Sequence, residues 1–352
     1  MIAATYTQNA GYRVEDVPVP TIAEDELLVR VAASSICGTD LRIIRSGHRR
    51  LRDGQRIVLG HEFAGIIAQV GASVTGFAAG QRVGVAPNMG CGRCDMCARG
   101  LPNMCPDYTA FGITLDGAHA EYVRIPSAAI VQGSVIPLPD SLSFEEAALL
   151  EPLSCVVNGN RASRIELGDT VVIFGAGPIG LLHLFLAQLS GAASVIVADV
   201  QLARLETAAR LGATRTVHSG EENVLERVRK ETRGRGADVV ITACSVAAVQ
   251  EQAIELLAPL GRACFFGGLP KDGSRVAIDT NLIHYKQLLV TGVTGGAPHD
   301  FRTALDLVAS GRVDVRQVIS HTVLAARMAE AFQMAMREDA LKVVIRHGED
   351  RP

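Results

Sequence analysis

The sequence predicts an α/β protein in two parts: a barrel or sandwich of short strands, and a doubly wound sheet of six parallel strands. Three observations predict it. Residues 1 to about 150 carry short alternating runs punctuated by Gly and Pro. From about residue 168 the pattern becomes strand, helix, strand, repeated. Within the first part, "NMGCGRCDMCARGLPNMC" at 88–105 places four cysteines in one glycine-rich loop. A chain of 352 residues can bury two sizeable cores.

In chain order, "ELLVRVAAS", "EFAGIIAQVG", "QRVGVAP" and "AEYVRIP" read as short strands ended by turn residues. "SFEEAALLEPLSCVVNG" then turns helical, with Ser143 as N-cap and Glu145 and Glu146 in the first turn, where carboxylates meet the positive end of the helix. The second part offers six strands: "TVVIFG", "SVIVADV", "TRTVH", "ADVVITAC", "RACFFGG" and "LLVTGV". Helices fit between most of them. "QLARLETAARLG" ends on Gly212, as a helix terminator should. Helical crossovers imply a parallel sheet. After about residue 297, "DFRTALDLVASG" and "RMAEAFQMAMRED" read as helices and "LKVVIRH" as a last strand.

Composition narrows the function. Apolar residues make up 48% and charged residues 20%, ordinary for a globular protein. Net charge is −3 with no long basic tract, which argues against nucleic acid as main partner. The N-terminal stretch lacks a basic region followed by an apolar core, so no signal peptide is expected. "TVVIFGAGPIGLLHLFLAQLSGAASVIVADV" is broken by glycines, Pro178 and His183 and reads as strand-turn-helix-strand rather than a membrane span. The expected compartment is the reducing cytoplasm, where clustered cysteines more often bind metal than pair. Cys91, Cys94, Cys97 and Cys105, with two, two and seven residues between them, can surround one ion from a single loop turned by Gly90, Gly92, Gly100 and Pro102. Four thiolates with no open position describe a structural zinc site; an iron–sulfur cluster is the metal alternative.

"VVIFGAGPIG" carries Gly175, Gly177 and Gly180 between an apolar strand and an apolar helix. Gly175 permits the tight turn, Gly177 lets backbone approach a pyrophosphate, and Gly180 permits close helix–strand packing. Pro178 and Ile179 complete the loop, and the phosphates would sit at the helix N-terminus. Asp199 ends the second strand, nineteen residues past Gly180. Its carboxylate would accept both ribose hydroxyls and repel a 2′-phosphate, so NAD is expected. Arg204 is a candidate for the adenosine side. Phe266, Gly267 and Gly268, at a later strand end, are expected beside the nicotinamide.

"ICGTD", "GHEFAGII", the four-cysteine lobe, "GAGPIG" with Asp199, and "EPLSC" follow one another along the chain. In that order they resemble the zinc-dependent medium-chain alcohol dehydrogenase superfamily. "EPLSC" makes the chain most similar to the branch of sorbitol and other polyol dehydrogenases, with threonine dehydrogenase nearby. The resemblance implies a GroES-like catalytic domain (1–151 and 297–352, with the structural-zinc lobe at about 88–106) and a Rossmann domain (152–296). It also implies hydride transfer in a cleft between them, a small-molecule substrate, one catalytic and one structural zinc, and a homodimer or homotetramer.

Cys37 and His61 suit Zn²⁺ on their own terms. Glu62 and Glu151 compete as third ligand, whether direct, water-mediated or alternating. Neighbours on a regular strand face opposite ways, so His61 and Glu62 can share an ion only in an irregular turn, which Gly60 makes possible. The chemistry requires such an ion. An alcohol has a pKa of about 16, and zinc brings a bound hydroxyl to about 7, a difference of roughly 12 kcal/mol. Thr39 is expected to take the substrate proton and Asp40 to orient His61. The expected reaction oxidises a secondary alcohol of a polyol, sugar or sugar derivative with NAD. Its alternatives are amino-alcohol oxidation and, on the same scaffold, a non-catalytic binding protein.

Four features depart from relatives or stand outside the motifs. Arg42 occupies the place of a relay histidine and cannot shuttle protons, so the relay is expected either to end at the ribose and water or to use His48. Residues 42–56 hold six arginines, at 42, 45, 49, 50, 52 and 56, against Asp53; a solvated loop is favoured over an anion site. His119 stands where relatives often carry Phe and reads either as a polar substrate wall or as a surface residue. His183 reads as structural, and Cys155, Cys244 and Cys264 as buried small hydrophobes.

Overall fold

The computed structural model describes residues 1–48 and 50–348, and its chain divides into two compact units, Met1–Cys155 with Gly295–Pro352, and Val156–Thr294. No helix among the described residues is long and apolar enough to cross a membrane.

Val156–Thr294 is built on six parallel strands in the order Arg215–His218, Ser194–Asp199, Thr170–Phe174, Ala237–Thr242, Leu257–Phe265, Leu289–Gly292. The central strands are buried on both faces, which is why they read as unbroken Val/Ile runs rather than alternating ones. Val172, Ile196, Val240 and Ala263 of the strands pack with Val228, Ala253 and Ile254 of the helices. Strand order reverses at Thr170–Phe174, so the loops after Phe174 and Thr242 open on either side of the switch point.

The other unit holds a seven-stranded sheet in the order Val135–Pro137, Arg82–Val85, Glu62–Val70, Leu27–Ser35, Lys342–Arg346, Ile319–Leu324, with Tyr122–Ile125 also on Leu27–Ser35. A register irregularity between Val31 and Ala33 accompanies the change of neighbour: Leu27–Arg30 pair with Tyr122–Ile125, and Ala33–Ser35 pair with the C-terminal strand. Chain ends more than 300 residues apart thus share one sheet. A core of Ile36, Ile43, Leu59, Phe332, Val343 and Ile345 joins them.

The helical reading of 143–159 needs one correction. Ser143 caps as expected, its Oγ accepting the Glu146 N–H, but the helix Phe144–Ala148 stops at Leu149 and a second, Leu150–Ser163, follows. The restart puts Pro152 in a first turn, where its missing N–H has no helical partner to lose. A further helix, Gly38–Ser46, was not expected from the sequence; its Cys-Gly-Thr-Asp start is the signal that marks it.

Candidate active site and metal centres

Cys37 leaves the strand Leu27–Ser35 and becomes the N-cap of Gly38–Ser46. Asp40, third in that helix, turns back so that Oδ2 accepts the Cys37 N–H at 2.9 Å. Buried Ile36 and Ile43 bracket the turn and anchor it on the same core as Leu59, two residues before His61. Gly60 lies at φ +99°, and a Cβ there would stand 2.6 Å from the His119 nitrogen, so only glycine fits. His61 therefore precedes the strand that Glu62 begins, and the two need not face opposite ways. One ligand atom each from Cys37, His61 and Glu62 lies within 4.8 Å of the others. Glu151 is not in that set. It is buried in the first turn of Leu150–Ser163 and accepts the Cys155 thiol at 3.3 Å.

The charges suit a cation. Burial would lower the His61 pKa, yet Cys37, Asp40 and Glu151 together raise it well above its ordinary value. Burial, with Glu62 alongside, raises that of Glu151. Asp40 is fully buried, and burial would raise it, but His61, His119 and the Cys37 N–H hold it down to about 2. Its Oδ1 faces His61 Nδ1 at 3.6 Å, leaving Nε2 as the nitrogen for an ion. Thr39 Oγ1 accepts a hydrogen bond from Arg42 Nη2 at 3.2 Å.

Sequence reasoning missed Lys342. It sits at a buried position of the last strand and donates to both oxygens of Glu62 and to the Ile36 carbonyl. Burial would lower its pKa, but Glu62, Cys37 and Glu151 raise it. The available signal was a lysine inside the apolar run "LKVVIRH". His119 is corrected too. It is fully buried, its Nε2 3.3 Å from Asp40 Oδ2 and its Nδ1 2.9 Å from Ser34 Oγ, because the backbone of 117–119 pairs with 58–60 and draws the ring inward. Cys155 is half-buried and bonded to Glu151 rather than a plain hydrophobe; Cys244 is half-buried and Cys264 buried.

In the basic segment, Arg49 lies outside the described residues. Arg50 donates to the Tyr108 carbonyl at 2.6 Å and covers the Tyr108 ring, Arg56 approaches Glu15 at 3.8 Å, and His48 accepts the Arg50 N–H.

The cysteine lobe brings all four sulfurs within 4.8 Å of one another, with Cys94 at 3.6 Å from Cys97 and 3.7 Å from Cys105. Sulfurs at the corners of a tetrahedron around zinc, at bonds of about 2.3 Å, stand about 3.8 Å apart, so the cradle has the right size. A Cβ on Gly90 would sit 2.3 Å from Cys97 Sγ. Backbone N–H groups of Arg93 and Cys94 draw the Cys91 thiol down to about 6, toward the thiolate a metal needs.

In the parallel-sheet unit, Gly175 lies at φ +100°, and a Cβ on Gly180 would fall 1.7 Å from the Gly175 oxygen. Gly177 caps the helix Pro178–Leu189, with Pro178 and Ile179 in its first turn and no side chain occupying the leading N–H groups. Asp199 accepts the Ala176 N–H at 2.6 Å and the Gln201 N–H at 2.9 Å, which aims its carboxylate across the loop. Arg204 Nη1 would stand 3.8 Å from a Cβ on Gly177, beside the glycine loop. Gly267 packs its Cα against the Cys244 backbone, and Phe266 meets the ring of buried His183 edge-on at 4.7 Å. Gly268 has open space around it.

Two family models match the chain: the alcohol dehydrogenase GroES-like domain over residues 23–140, and the zinc-binding dehydrogenase domain over 178–310. The chain is 33% identical to sorbitol dehydrogenase of Bacillus subtilis, over 98% of this chain and 97% of the relative. It is 35% identical to L-threonine 3-dehydrogenase of Pyrococcus abyssi, over 98% of each. Among solved structures, a zinc-binding dehydrogenase of Sinorhizobium meliloti 1021 bound to NADP superposes with a TM-score of 0.90 at 33% identity, covering 98% of both chains.

Proposed function

The chain belongs to the zinc-dependent medium-chain alcohol dehydrogenase superfamily, a family of oxidoreductases, and from that premise we propose that it oxidises a secondary hydroxyl of a polyol, sugar or sugar derivative with NAD. The observation that carries the reading is the convergence of one ligand atom each from Cys37, His61 and Glu62, with the Asp40 and Glu151 carboxylates close enough to act on His61. We assign Cys37 and His61 as constant zinc ligands, with Glu62 and Glu151 as carboxylates that take turns. Zinc, when bound, supplies the acidity that an alcohol lacks at neutral pH. NAD, when bound, accepts the hydride.

The protein's own residues do the rest. Asp40 holds the His61 ring with Nε2 free. Arg42 donates to one lone pair of Thr39 Oγ1, which leaves the other to accept the substrate hydroxyl's proton while Thr39 passes its own hydrogen on. Arginine cannot pass that proton on, so the relay continues through solvent. Asp199 favours NAD, supported by its carboxylate at the glycine loop. The Met1–Cys155 and Gly295–Pro352 unit is the catalytic domain of this proposal and Val156–Thr294 its cofactor domain. The assembly is a homodimer or homotetramer, to be read by light scattering.

A second reading has its own support. Arg42 beside Thr39 offers a guanidinium to a carboxylate, as an amino-alcohol acid such as threonine would carry. One experiment separates them: NADH formation across polyols, sugar phosphates, sugar acids and amino alcohols, with zinc counted per chain. Polyol turnover that is lost on chelation supports the first reading. Turnover of threonine alone selects the second, and no turnover with fewer than two zincs overturns both.

A further inference from the structure

We propose that His119 is a positioning residue for the catalytic metal, the middle link of a buried hydrogen-bond chain that runs from His347 to Asp40, whose other carboxylate oxygen faces the ligand His61. The inference rests on the reading that Cys37 and His61 hold zinc.

The links are His347 Nε2 to Ser34 Oγ at 3.0 Å, Ser34 Oγ to His119 Nδ1 at 2.9 Å, and His119 Nε2 to Asp40 Oδ2 at 3.3 Å. Asp40 Oδ1 then faces His61 Nδ1 at 3.6 Å. Ser34, Asp40 and His119 are fully buried, and His61 and His347 are 5% exposed.

The pattern closes in one direction. The Asp40 carboxylate accepts, so His119 carries its N–H on Nε2 and its Nδ1 accepts. Ser34 therefore donates to Nδ1 and receives the N–H of His347 on Nε2. Burial lowers the His347 pKa to about 3, which keeps that ring neutral. With His119 and His347 each carrying one N–H on Nε2, every donor between His347 and Asp40 has an acceptor.

The chain governs the metal ligand through Asp40. That carboxylate has two anchors, the Cys37 N–H and the His119 N–H, both on Oδ2. Together they set the plane of the carboxylate and so the placing of Oδ1 against His61. The backbone N–H alone leaves rotation about it free. His119 is itself held on every side. Its N–H and C=O pair with Leu59 and Ala4, and its ring meets Phe332 edge-on at 5.4 Å. His347 follows the strand Lys342–Arg346, whose Lys342 grips Glu62. The last strand thus reaches the metal site twice, at Glu62 directly and at His61 through four hydrogen-bonding groups.

The test is zinc release from the holoenzyme to a colorimetric chelator, in wild type, His119→Phe, His119→Gln and Ser34→Ala. The four-cysteine zinc serves as internal control, and cobalt substitution gives a spectrum of the catalytic site. Loss of an outer partner of a metal-bound histidine weakens binding by about 10–100-fold. His119→Phe keeps the ring on Phe332 and, acting through Asp40, is expected to weaken the catalytic zinc severalfold and by up to about that factor, shift the cobalt bands and leave the cysteine-lobe zinc unchanged. His119→Gln keeps an N–H for Asp40 and is expected to recover most of the affinity. Equal release from wild type and His119→Phe, with an unshifted cobalt spectrum, overturns the proposal while leaving the zinc assignment intact. A wild type with zinc only in the cysteine lobe overturns the assignment and the proposal together. Should His119→Phe lose the cysteine-lobe zinc as well, Ser34→Ala decides: weaker catalytic zinc supports the chain, and unchanged affinity refutes it.

Discussion

Replacing Lys342 by Met tests the electrostatics of the site in the metal-free protein. Lys342 donates to both oxygens of Glu62, and the two side chains are 5% and 0% exposed. Methionine fills nearly the same volume but leaves the carboxylate buried without its cation. Breaking a buried pair from one side costs about 3–5 kcal/mol, whereas replacing both members with neutral groups is close to neutral. Lys342→Met is therefore expected to lose about 3–5 kcal/mol, and Lys342→Met with Glu62→Gln to regain most of it. The assay is urea unfolding of the metal-free wild type, both single variants and the double variant, which isolates the coupling. Zinc should then stabilise Lys342→Met more than it stabilises wild type, because Glu62, freed from the lysine, turns to the ion. A loss below about 1 kcal/mol, or a double variant no more stable than Lys342→Met, refutes the argument that this pair is a buried ionic contact.

Four further outcomes follow from the geometry. Asp199→Asn keeps an acceptor for the Ala176 N–H but removes the charge, so the NAD over NADP ratio of kcat/KM should fall about tenfold or more, roughly 1.4 kcal/mol; an unchanged ratio counts against Asp199 as the selector. Gly180→Ala drives a methyl to 1.7 Å from the Gly175 oxygen, and NADH titration by fluorescence should show binding lost. Burial pushes His183 from its ordinary 6.5 to about 3. The unfolded chain takes up that proton first, so the stability is fully present above pH 6.5 and declines as pH falls toward 3, by about 2 kcal/mol at pH 5. Urea midpoints against pH should show a shallower decline in His183→Leu. Cys105→Ala should lower zinc from two to one per chain by elemental analysis, with a reduced melting temperature, because a tetrahedral thiolate site does not close on three sulfurs.

Much of this protein is local in origin and legible along the chain. Parallel strands buried on both faces announce themselves as Val/Ile runs. The four cysteines span fifteen residues, Cys91 to Cys105, so their meeting needs only a tight loop. Gly175 and Gly180 are demanded by a turn a few residues long. Ser143 announces its own helix start through Glu146. The order of motifs was enough to name the family.

What lay beyond sequence reasoning is what depends on partners far along the chain. Lys342 meets Glu62 across 280 positions, and His347 meets Ser34 across 313. The apolar run around Lys342 hints that it is buried but does not name Glu62 as its partner, and nothing near His119 says that its ring points inward. The first follows from the C-terminal strand joining Leu27–Ser35 and the second from the pairing of 117–119 with 58–60; both bring charged and polar groups to a buried place where each must find a counterpart. Residue types and short spacings determined which chemistry was available here. Only the assembled sheet decided which polar groups would share a dry interior, because the cost of burying an unpaired charge is settled by distance in space and not by distance along the chain.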